Sequence, residues 1–309
     1  MDDRITRLRD NISRVYLGNP EAVDSVLCCL LARGHALLED VPGVGKTALA
    51  MAVARSVECP FSRIQLTPDM LPSDVLGVSV LNRDTGAFEF RPGPIFASVV
   101  LADEINRTTP RTQTALLEAM NESSVSIDGV VHDLGRPFML LATQNPYDFE
   151  GTYPLPENQL DRFLMRIRVG YPDAATEREI LRLRPAQSIL SELEPVMHRD
   201  ELVALQDDVA EVRLADELME YIVEIARATR EDDDVRVGLS PRGSLALAQA
   251  ARATAMLKGR NYVVPEDITS NVEPVCAHRI MARAGSLDAG VGAPPGLLDR
   301  VLAHVPSPV

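Results

Sequence analysis

The chain has 309 residues and a formal net charge of -14 at pH 7, from 31 basic and 45 acidic side chains. This length is about twice that of a common domain, so we expect two domains or one large domain with an appendage. Hydrophobic residues make up 46% of the chain and allow a substantial core. The acidic balance disfavours tight, sequence-independent binding to nucleic acid or to an anionic membrane surface.

The amino-terminal sequence MDDRITRLRDNIS begins with acids and lacks the apolar core of a signal peptide. The longest early apolar run, VLCCLLA, is far shorter than the roughly 20 residues of a membrane-spanning helix. No C-x-x-C pair occurs and the histidines are widely spaced, so we expect free, buried thiols and no metal cluster at Cys28, Cys29, Cys59 and Cys276. These features predict a soluble, cytoplasmic protein without a membrane span.

A glycine-rich loop follows the first predicted strand. The apolar stretch from Val26 to Leu38, interrupted at Gly34, predicts a helix, a break and a short buried strand that ends at DVPGVGKT. A helix over TALAMAVARSV and a strand over FSRIQL come next. Strand, loop and helix in this order are the context of a phosphate-binding loop.

The residue types in this loop fit the binding of a nucleotide. Gly43 and Gly45 let the backbone turn its N–H groups towards phosphate oxygens, Lys46 neutralises the β- and γ-phosphates, and the Thr47 hydroxyl holds Mg²⁺. The loop begins with Asp40 where the usual pattern has glycine, and an Asp side chain can start a turn through its own hydrogen bonds. The predicted phosphate-binding residues are Asp40, Pro42, Gly43, Val44, Gly45, Lys46 and Thr47.

Two hairpins and three further strands follow the loop region. Turn signals at Asp84–Gly86 and at Asp128–Gly129 predict hairpins over GVSVLNRDTGAFEF and SVSIDGVVH. Buried strands are expected in ASVVLADEINR, RPFMLLATQNP and LDRFLMRIRV, and they alternate with helices. This alternation predicts an α/β fold with a parallel sheet and helices on both faces, with ligands at the carboxyl ends of the strands.

The pattern changes to helices alone at GYPDAATEREILRLR. Three or four amphipathic helices are predicted up to about residue 284, with breaks at REDDDVRVGLSPRG and GRNYVVPEDI, and a final helix is predicted from Leu297. We place the domain boundary near residue 172, which predicts an α/β domain over residues 1–172 and a helical domain over residues 173–309.

Two acids end the strand VVLAD. We assign Asp103 to the metal and Glu104 to the attacking water, because a general base must accept or orient a proton. Asn145, after the next strand, is a candidate for holding that water or the γ-phosphate, although an asparagine in this position also commonly forms a turn.

Two arginines outside the loop are further candidates. Arg162 in QLDRFL is predicted to stabilise transition-state charge on a neighbouring subunit's nucleotide, and a salt bridge at the edge of the core is the alternative. Arg242 lies in the first turn of a helix that Ser240 caps and Pro241 begins. We expect it to couple the two domains to the γ-phosphate, with an ordinary exposed arginine as the alternative.

The chain resembles the MoxR family of AAA+ ATPases from about Asn11 to its end. The stretches that carry the resemblance are LARGHALLEDVPGVGKT, LPSDVLGVSVLNRDTGAFEFRPGPIF, VLADEINRTTPRTQTALLEAM, ATQNPYDFEGTYPLPENQLDRFL and LSPRGSLAL. The resemblance implies a P-loop fold with a five-stranded parallel sheet between helices, a C-terminal all-α lid and an inserted hairpin near Gly77 to Phe90. Asp often begins the loop in this family, which implies a working site for ATP and Mg²⁺. VYLGNPEAV resembles the adenine-contacting segment, with Asn19 where glutamine is usual, so Tyr16 to Gly18 would border the base.

The resemblance also implies a role for the chain. MoxR-like proteins are thought to be chaperones that form rings, usually hexameric, and that mature protein complexes, often with partners carrying a von Willebrand factor A domain. Two other functions are compatible with the sequence. A nucleic-acid motor is disfavoured by the negative charge and by hairpin tips without a basic and aromatic surface. A nucleotide-gated switch with little turnover is disfavoured by the presence of Glu104.

Overall fold

The computed structural model describes residues 2–40, 43–145, 151–184, 188–283, 292–294 and 296–308. The strands in this part of the chain are β1 Ala36–Glu39, β2 Val57–Glu58, β3 Phe61–Gln65, β4 Gly77–Leu81, β5 Phe88–Pro92, β6 Val99–Asp103, β7 Ser124–Ile127, β8 Val130–Asp133, β9 Met139–Gln144, β10 Met165–Arg168, β11 Met197–His198, β12 Val235–Val237 and β13 Met281–Ala282. The α-helices are α1 Asp3–Val15, α2 Pro20–Leu31, α3 Lys46–Ser56, α4 Pro72–Leu76, α5 Pro110–Glu122, α6 Glu157–Leu160, α7 Ala174–Leu183, α8 Arg199–Glu211, α9 Asp216–Glu231, α10 Pro241–Leu257, α11 Pro265–Cys276 and α12 Leu297–His304.

Five strands form a central parallel sheet in the order β10-β1-β9-β6-β3. The predicted parallel sheet with helices is therefore confirmed. Strand β6 is buried on both faces: Val99 and Leu101 pack into one hydrophobic cluster, with α1, α2 and α3, and Val100 and Ala102 pack into a second, with α4 and α5. A continuous apolar run is the sequence pattern that such a doubly covered strand requires.

Both predicted hairpins are present, β4 with β5 and β7 with β8. Asp128 and Gly129 both have positive φ, at 51° and 78°, as a tight two-residue turn requires. The two hairpins contact each other through the rings of Phe90 and His132, which stack with centroids 4.0 Å apart. They therefore form one joined projection from the sheet.

In the described part of the stretch from 173 to 284, five helices, α7 to α11, occur where three or four were expected. One of the breaks that were not predicted lies between α8 and α9, at residues 212–215. It contains neither glycine nor proline, so the sequence has no helix-breaking residue there from which the break could be predicted. The helix α10 begins as predicted, with Ser240 accepting a hydrogen bond from the Gly243 N–H and Pro241 in the first position.

The second half of the chain packs closely against the first. Helices α8 and α10 contact α2, α11 contacts β10, and the short strand β11 pairs with β2. One hydrophobic cluster runs through these elements, from Ile5 to Val305. The change from alternation to helices falls where predicted, between Arg168 and Ala174, and the division into two domains at 172/173 stays a prediction. Of the cysteines, Cys28, Cys29 and Cys276 are buried and Cys59 is half-buried, and all four are free.

Candidate functional site

The glycine-rich loop lies between the end of β1 and the start of α3. Gly43 and Gly45 have φ of 90° and 92°, values that favour glycine, and Gly45 is the residue from which α3 starts. The first N–H groups of a helix have no partner within it, so this end of α3 can bind anions. Val44 lies between the two glycines, and Pro42 lies outside the described residues.

Asp40 has a different partner from the one its sequence position suggested. We expected a local turn, but its carboxylate accepts a hydrogen bond of 2.6 Å from the N–H of Gly170, just beyond the end of β10. Its carbonyl oxygen accepts a 2.5 Å hydrogen bond from the ammonium of Lys46. An acid at this position therefore connects the start of the loop to the neighbouring strand of the sheet.

Lys46 is the first residue of α3 and is half-buried. Burial lowers the pKa of its ammonium, while the nearby carboxylates of Asp40, Asp103 and Glu104 raise it. The group faces acids in a partly desolvated position, where interactions between charges are stronger than in bulk water. A phosphate entering the loop would meet this cation directly.

The carboxylate of Asp103, at the buried end of β6, has a partner on each oxygen. Its Oδ1 accepts a 2.6 Å hydrogen bond from the Thr143 hydroxyl, and its Oδ2 lies 3.5 Å from the Thr47 hydroxyl. A hydroxyl and a carboxylate fit Mg²⁺, which prefers oxygen ligands and takes others from water and substrate phosphates. The predicted metal ligands, Thr47 and Asp103, are thus brought together.

Glu104 has a backbone conformation that is rare for a non-glycine residue. Its φ and ψ are 58° and 54°, and its N–H donates to the Thr143 hydroxyl at 2.9 Å. Such strain costs of order 1–3 kcal/mol and is concentrated at functional sites. Its carboxylate accepts a hydrogen bond from the Gln65 amide at 3.1 Å and pairs with Arg107 at 3.0 Å. Adjacent acids thus point to different partners, as their separate roles require.

Asn145 follows β9 directly, and β9 lies between β1 and β6 in the sheet. This order places Asn145 between the glycine-rich loop and Asp103. Its carbonyl oxygen lies 3.5 Å from the Asn106 amide nitrogen. The structure therefore brings Asn145 to the same edge of the sheet as the other candidates.

A cavity of about 460 Å³ adjoins the loop. Its walls are mostly apolar and come from both halves of the chain; they include Tyr16, Gly18, Gly43, Val44, Gly45, Pro172, Ile180 and Leu181. A Cβ on Gly18 would lie 2.3 Å from the Tyr16 hydroxyl oxygen, so only glycine fits beside this ring. The size and the mostly apolar lining suit a small ligand, and the predicted base-contacting segment forms one side.

Arg162 lies at the opposite edge of the sheet. Leu164, two residues later, donates a hydrogen bond to the carbonyl of His35, which immediately precedes β1. The Arg162 guanidinium donates to the carbonyl of Leu117 at 2.5 Å, and its Nε is buried without a hydrogen-bond partner. Arg162 is thus held against α5 of its own chain, where the strands start and not where they end.

Arg242 lies beside the same helix. Its guanidinium donates to the Asn121 side chain at 2.8 Å and lies 3.6 Å from the Asp161 carboxylate. The carboxylate of Asp161 also accepts a 2.9 Å bond from the buried Arg279. Arg242 on α10 thus contacts residues of the first half of the chain, and 54% of its side chain is exposed.

The distance between the two edges decides what these arginines can reach. Arg162 and Arg242 lie level with the start of β1, and the loop follows its end. At about 3.3 Å per residue, the four residues of β1 separate these two levels by about 13 Å. That span is longer than an arginine side chain. A contact of Arg242 with the γ-phosphate in its own chain, as a clamp between domains, does not fit this arrangement.

Four polar residues around the two acids were not predicted from the sequence, namely Arg63, Gln65, Thr143 and Arg107. Arg63 donates to Asp103 Oδ2 at 2.7 Å, and its guanidinium also donates to the Gln65 side chain at 3.2 Å. Both residues lie on β3, where polar side chains alternate with the buried Ile64. That alternation at the end of a strand, in FSRIQL, was the available signal.

Comparisons with known proteins agree with this geometry. The model of the family described as "ATPase family associated with various cellular activities (AAA)" matches residues 35–165, and that of the "AAA lid domain" matches residues 227–292. The chain is 49% identical to the uncharacterized protein YeaC of Bacillus subtilis, over 97% of this chain and 93% of that protein. It is 39% identical to Chaperone MoxR1 of Mycobacterium tuberculosis, over 96% of this chain and 80% of that protein. The chain belongs to the MoxR family of AAA+ ATPases.

A solved structure supports the MoxR-family fold along the whole chain. The crystal structure of a candidate ATPase from Cytophaga hutchinsonii superposes with a TM-score of 0.90 at 34% identity, covering 99% of this chain and 96% of that one. The P-loop AAA+ fold with a helical lid, implied by the resemblance, is therefore confirmed. Among the helices that the structure describes, none combines the length and apolar character needed to cross a membrane.

Proposed function

We propose that this MoxR-family chain binds and hydrolyses ATP and uses the energy to remodel protein complexes. One observation carries the proposal: Lys46, Thr47, Asp103 and Glu104 meet at a single edge of the sheet, beside a cavity that suits a nucleotide base. The membership in an ATPase family points the same way.

Each residue at this edge has a distinct role in the proposed reaction. The N–H groups from Gly43 to Gly45 and the ammonium of Lys46 bind the phosphates. Thr47 and Asp103 hold Mg²⁺, which neutralises charge on the phosphates when bound. Glu104 orients the attacking water and accepts its proton, and Asn145 holds that water or senses the γ-phosphate. The Tyr16–Gly18 segment borders the base.

The position of Arg162 and Arg242 supports an assembly of several copies. Both lie at the edge where strands start, about 13 Å from their own loop, so they serve a nucleotide only if a neighbouring copy presents it. Repeated head-to-tail contact of one edge with the other forms a ring when the rotation between neighbouring copies closes. We propose a homo-oligomer, of hexameric form as in the family, in which both arginines complete the neighbour's site.

The joined hairpins are the proposed contact with protein clients. They expose apolar side chains, namely Leu81, Phe88, Val130 and Val131, and 74% of Phe88 is accessible. Exposed apolar patches of this kind mark sites of protein contact. A relative named as a chaperone supports such work. From the family resemblance, the proposed partners are proteins with a von Willebrand factor A domain, and the proposed location is the cytoplasm. In this proposal residues 173–309 form the lid that closes over the base, because Ile180 and Leu181 line its cavity.

The first experiment is ATP hydrolysis at steady state by the wild type and by Glu104→Gln, over a series of protein concentrations with light scattering on the same samples. We expect turnover that rises with assembly and disappears in the variant. Glu118→Gln is the matched control, because Glu118 is an exposed acid on α5. Turnover that persists in Glu104→Gln would contradict the assignment of the base.

Two outcomes would favour the other functions. ATP binding without turnover in the wild type would point to a nucleotide-gated switch. Salt-dependent binding to single-stranded DNA would point to a nucleic-acid motor, which the net charge of -14 opposes.

A further inference from the structure

The guanidinium of Arg63 lies against the carboxylate of Asp103. Strand β3 is one of the two edge strands of the sheet and pairs with β6 so that Gln65 lies opposite Asp103. From two residues earlier, the Arg63 guanidinium donates to Asp103 Oδ2 through both Nη2 at 2.7 Å and Nε at 3.2 Å. Two donors of one planar group bind the same oxygen, which holds the pair in a defined geometry.

That oxygen is also the one nearest to the Thr47 hydroxyl. Oδ1 is bound by Thr143, so Oδ2 is the oxygen that Asp103 presents to a cation shared with Thr47. A metal bound there would place a double positive charge next to the guanidinium. Like charges at such short range repel strongly when they are partly shielded from water, and here the Asp103 side chain is only 11% exposed.

Arg63 has room to leave. Its side chain is 47% exposed at the edge of the sheet, and its second partner, the Gln65 side chain, lies on the same strand. A long flexible side chain in that position can turn into water and release Asp103 without any change in the backbone.

From these contacts we infer that Arg63 is a positioning residue that competes with Mg²⁺ for Asp103 Oδ2. In the absence of metal, the Arg63 side chain pairs with the Asp103 carboxylate. When Thr47 and Asp103 hold a metal together with nucleotide phosphates, the Arg63 side chain turns into solvent. The competition makes metal binding dependent on nucleotide, because Mg²⁺ alone must displace the arginine without the added attraction of phosphate. This inference rests on the proposed nucleotide site and adds a residue that sets its metal affinity.

The test measures Mn²⁺ binding by electron paramagnetic resonance, with Mn²⁺ replacing Mg²⁺ and ADP present so that no hydrolysis occurs. In Arg63→Gln we expect Mn²⁺ to bind about tenfold more tightly than in the wild type, with a gain that shrinks at high salt. Arg63→Lys keeps the charge but loses the planar pair of donors, so its Mn²⁺ affinity should lie between those of the wild type and Arg63→Gln. Arg83→Gln, in the exposed turn of the first hairpin, is the control for general loss of charge.

Affinity for ADP without metal, measured in EDTA, separates the remaining outcomes. It should be the same in Arg63→Gln and the wild type. Equal or weaker Mn²⁺ binding in Arg63→Gln would overturn the inference, as would weaker ADP binding in EDTA, which would make Arg63 a phosphate ligand. Failure of the wild type to bind ADP would instead refute the proposed function. Thermal melting checks folding, and if Arg63→Gln does not fold, Arg63→Ala measured in the same way decides.

Discussion

Mixing two inactive variants tests whether Arg162 serves a neighbouring nucleotide. Lys46→Ala removes the phosphate-binding ammonium but keeps Arg162, whereas Arg162→Ala keeps an intact loop and lacks the guanidinium. Because about 13 Å separates Arg162 from its own loop, we expect the loss of Arg162 to slow turnover by about 10³-fold or more through the adjacent subunit. Lys46→Ala should be inactive because its own loop does not bind ATP.

The turnover expected on mixing follows from the positions of the loop and Arg162 at opposite edges of the sheet. Consider a ring assembled at random from equal amounts of the two variants. A complete site forms where the loop of an Arg162→Ala subunit faces the intact Arg162 of a neighbouring Lys46→Ala subunit. About one site in four has this pairing, for any ring size, so turnover should return to about a quarter of the wild-type value. If Arg162 acted within its own chain, none of the sites would be complete.

The assay is phosphate release as a function of the mixing ratio, with native mass spectrometry to show that mixed oligomers form. Activity should peak at equal amounts. A double variant, Lys46→Ala with Arg162→Ala, replaces the Lys46→Ala partner as the control and should give no recovery. Thermal melts check that loss of the bond to Leu117 leaves the fold intact. Mixed oligomers without recovered turnover would refute the assignment of Arg162 to a neighbour's site.

Three further predictions test the site and the fold. Lys46→Ala should abolish ATP binding, whereas Glu104→Gln should bind and retain ATP, in equilibrium measurements with a fluorescent nucleotide. Equal loss of nucleotide binding in both variants would contradict the assignment of phosphate binding to Lys46 and of hydrolysis to Glu104. Gly18→Ala should weaken nucleotide binding, because the added Cβ meets the Tyr16 ring, and a calorimetric Kd equal to that of the wild type would contradict the clash. The pKa of His35 falls from an ordinary 6.5 to about 4 through burial, so this ring stays neutral in the folded state while the unfolded chain takes up a proton. The contribution of His35 to stability should therefore fall as the pH drops below 6.5 towards 4, by about 2 kcal/mol at pH 5. Urea unfolding at pH 7 and pH 5 should show this difference between the wild type and His35→Gln, and an equal pH dependence in both would exclude this cause.

The sheet and the phosphate-binding loop could be predicted because their signals are local. Buried parallel strands appear as continuous apolar runs, and the residues that bind phosphate must follow one another on a loop before a helix. Asp103 and Glu104 were found in the same way, since both directly follow the run Val99 to Ala102. The type of each element followed from its own few residues.

Partners across the fold could not be predicted in this way. Arg63 lies 40 residues before Asp103 and contacts it only because β3 pairs with β6 in a particular register. The place of Arg242 depends on how α10 packs against the end of α5, and a one-turn shift of either helix would move it elsewhere. Such contacts depend on long-range packing, and a single sequence carries no direct record of them.

Asp40 has a consequence for how readily the loop accepts a ligand. Its carboxylate binds the Gly170 N–H across two neighbouring strands, so the first residue of the loop is tethered to the sheet in the folded chain. A glycine at the same position would leave that N–H without this partner and the loop with greater freedom at its origin. The ordering of this end of the loop is thus completed during folding and not during capture of a nucleotide, which is the definition of a preorganised site. The departure from the usual glycine replaces flexibility with a fixed anchor point.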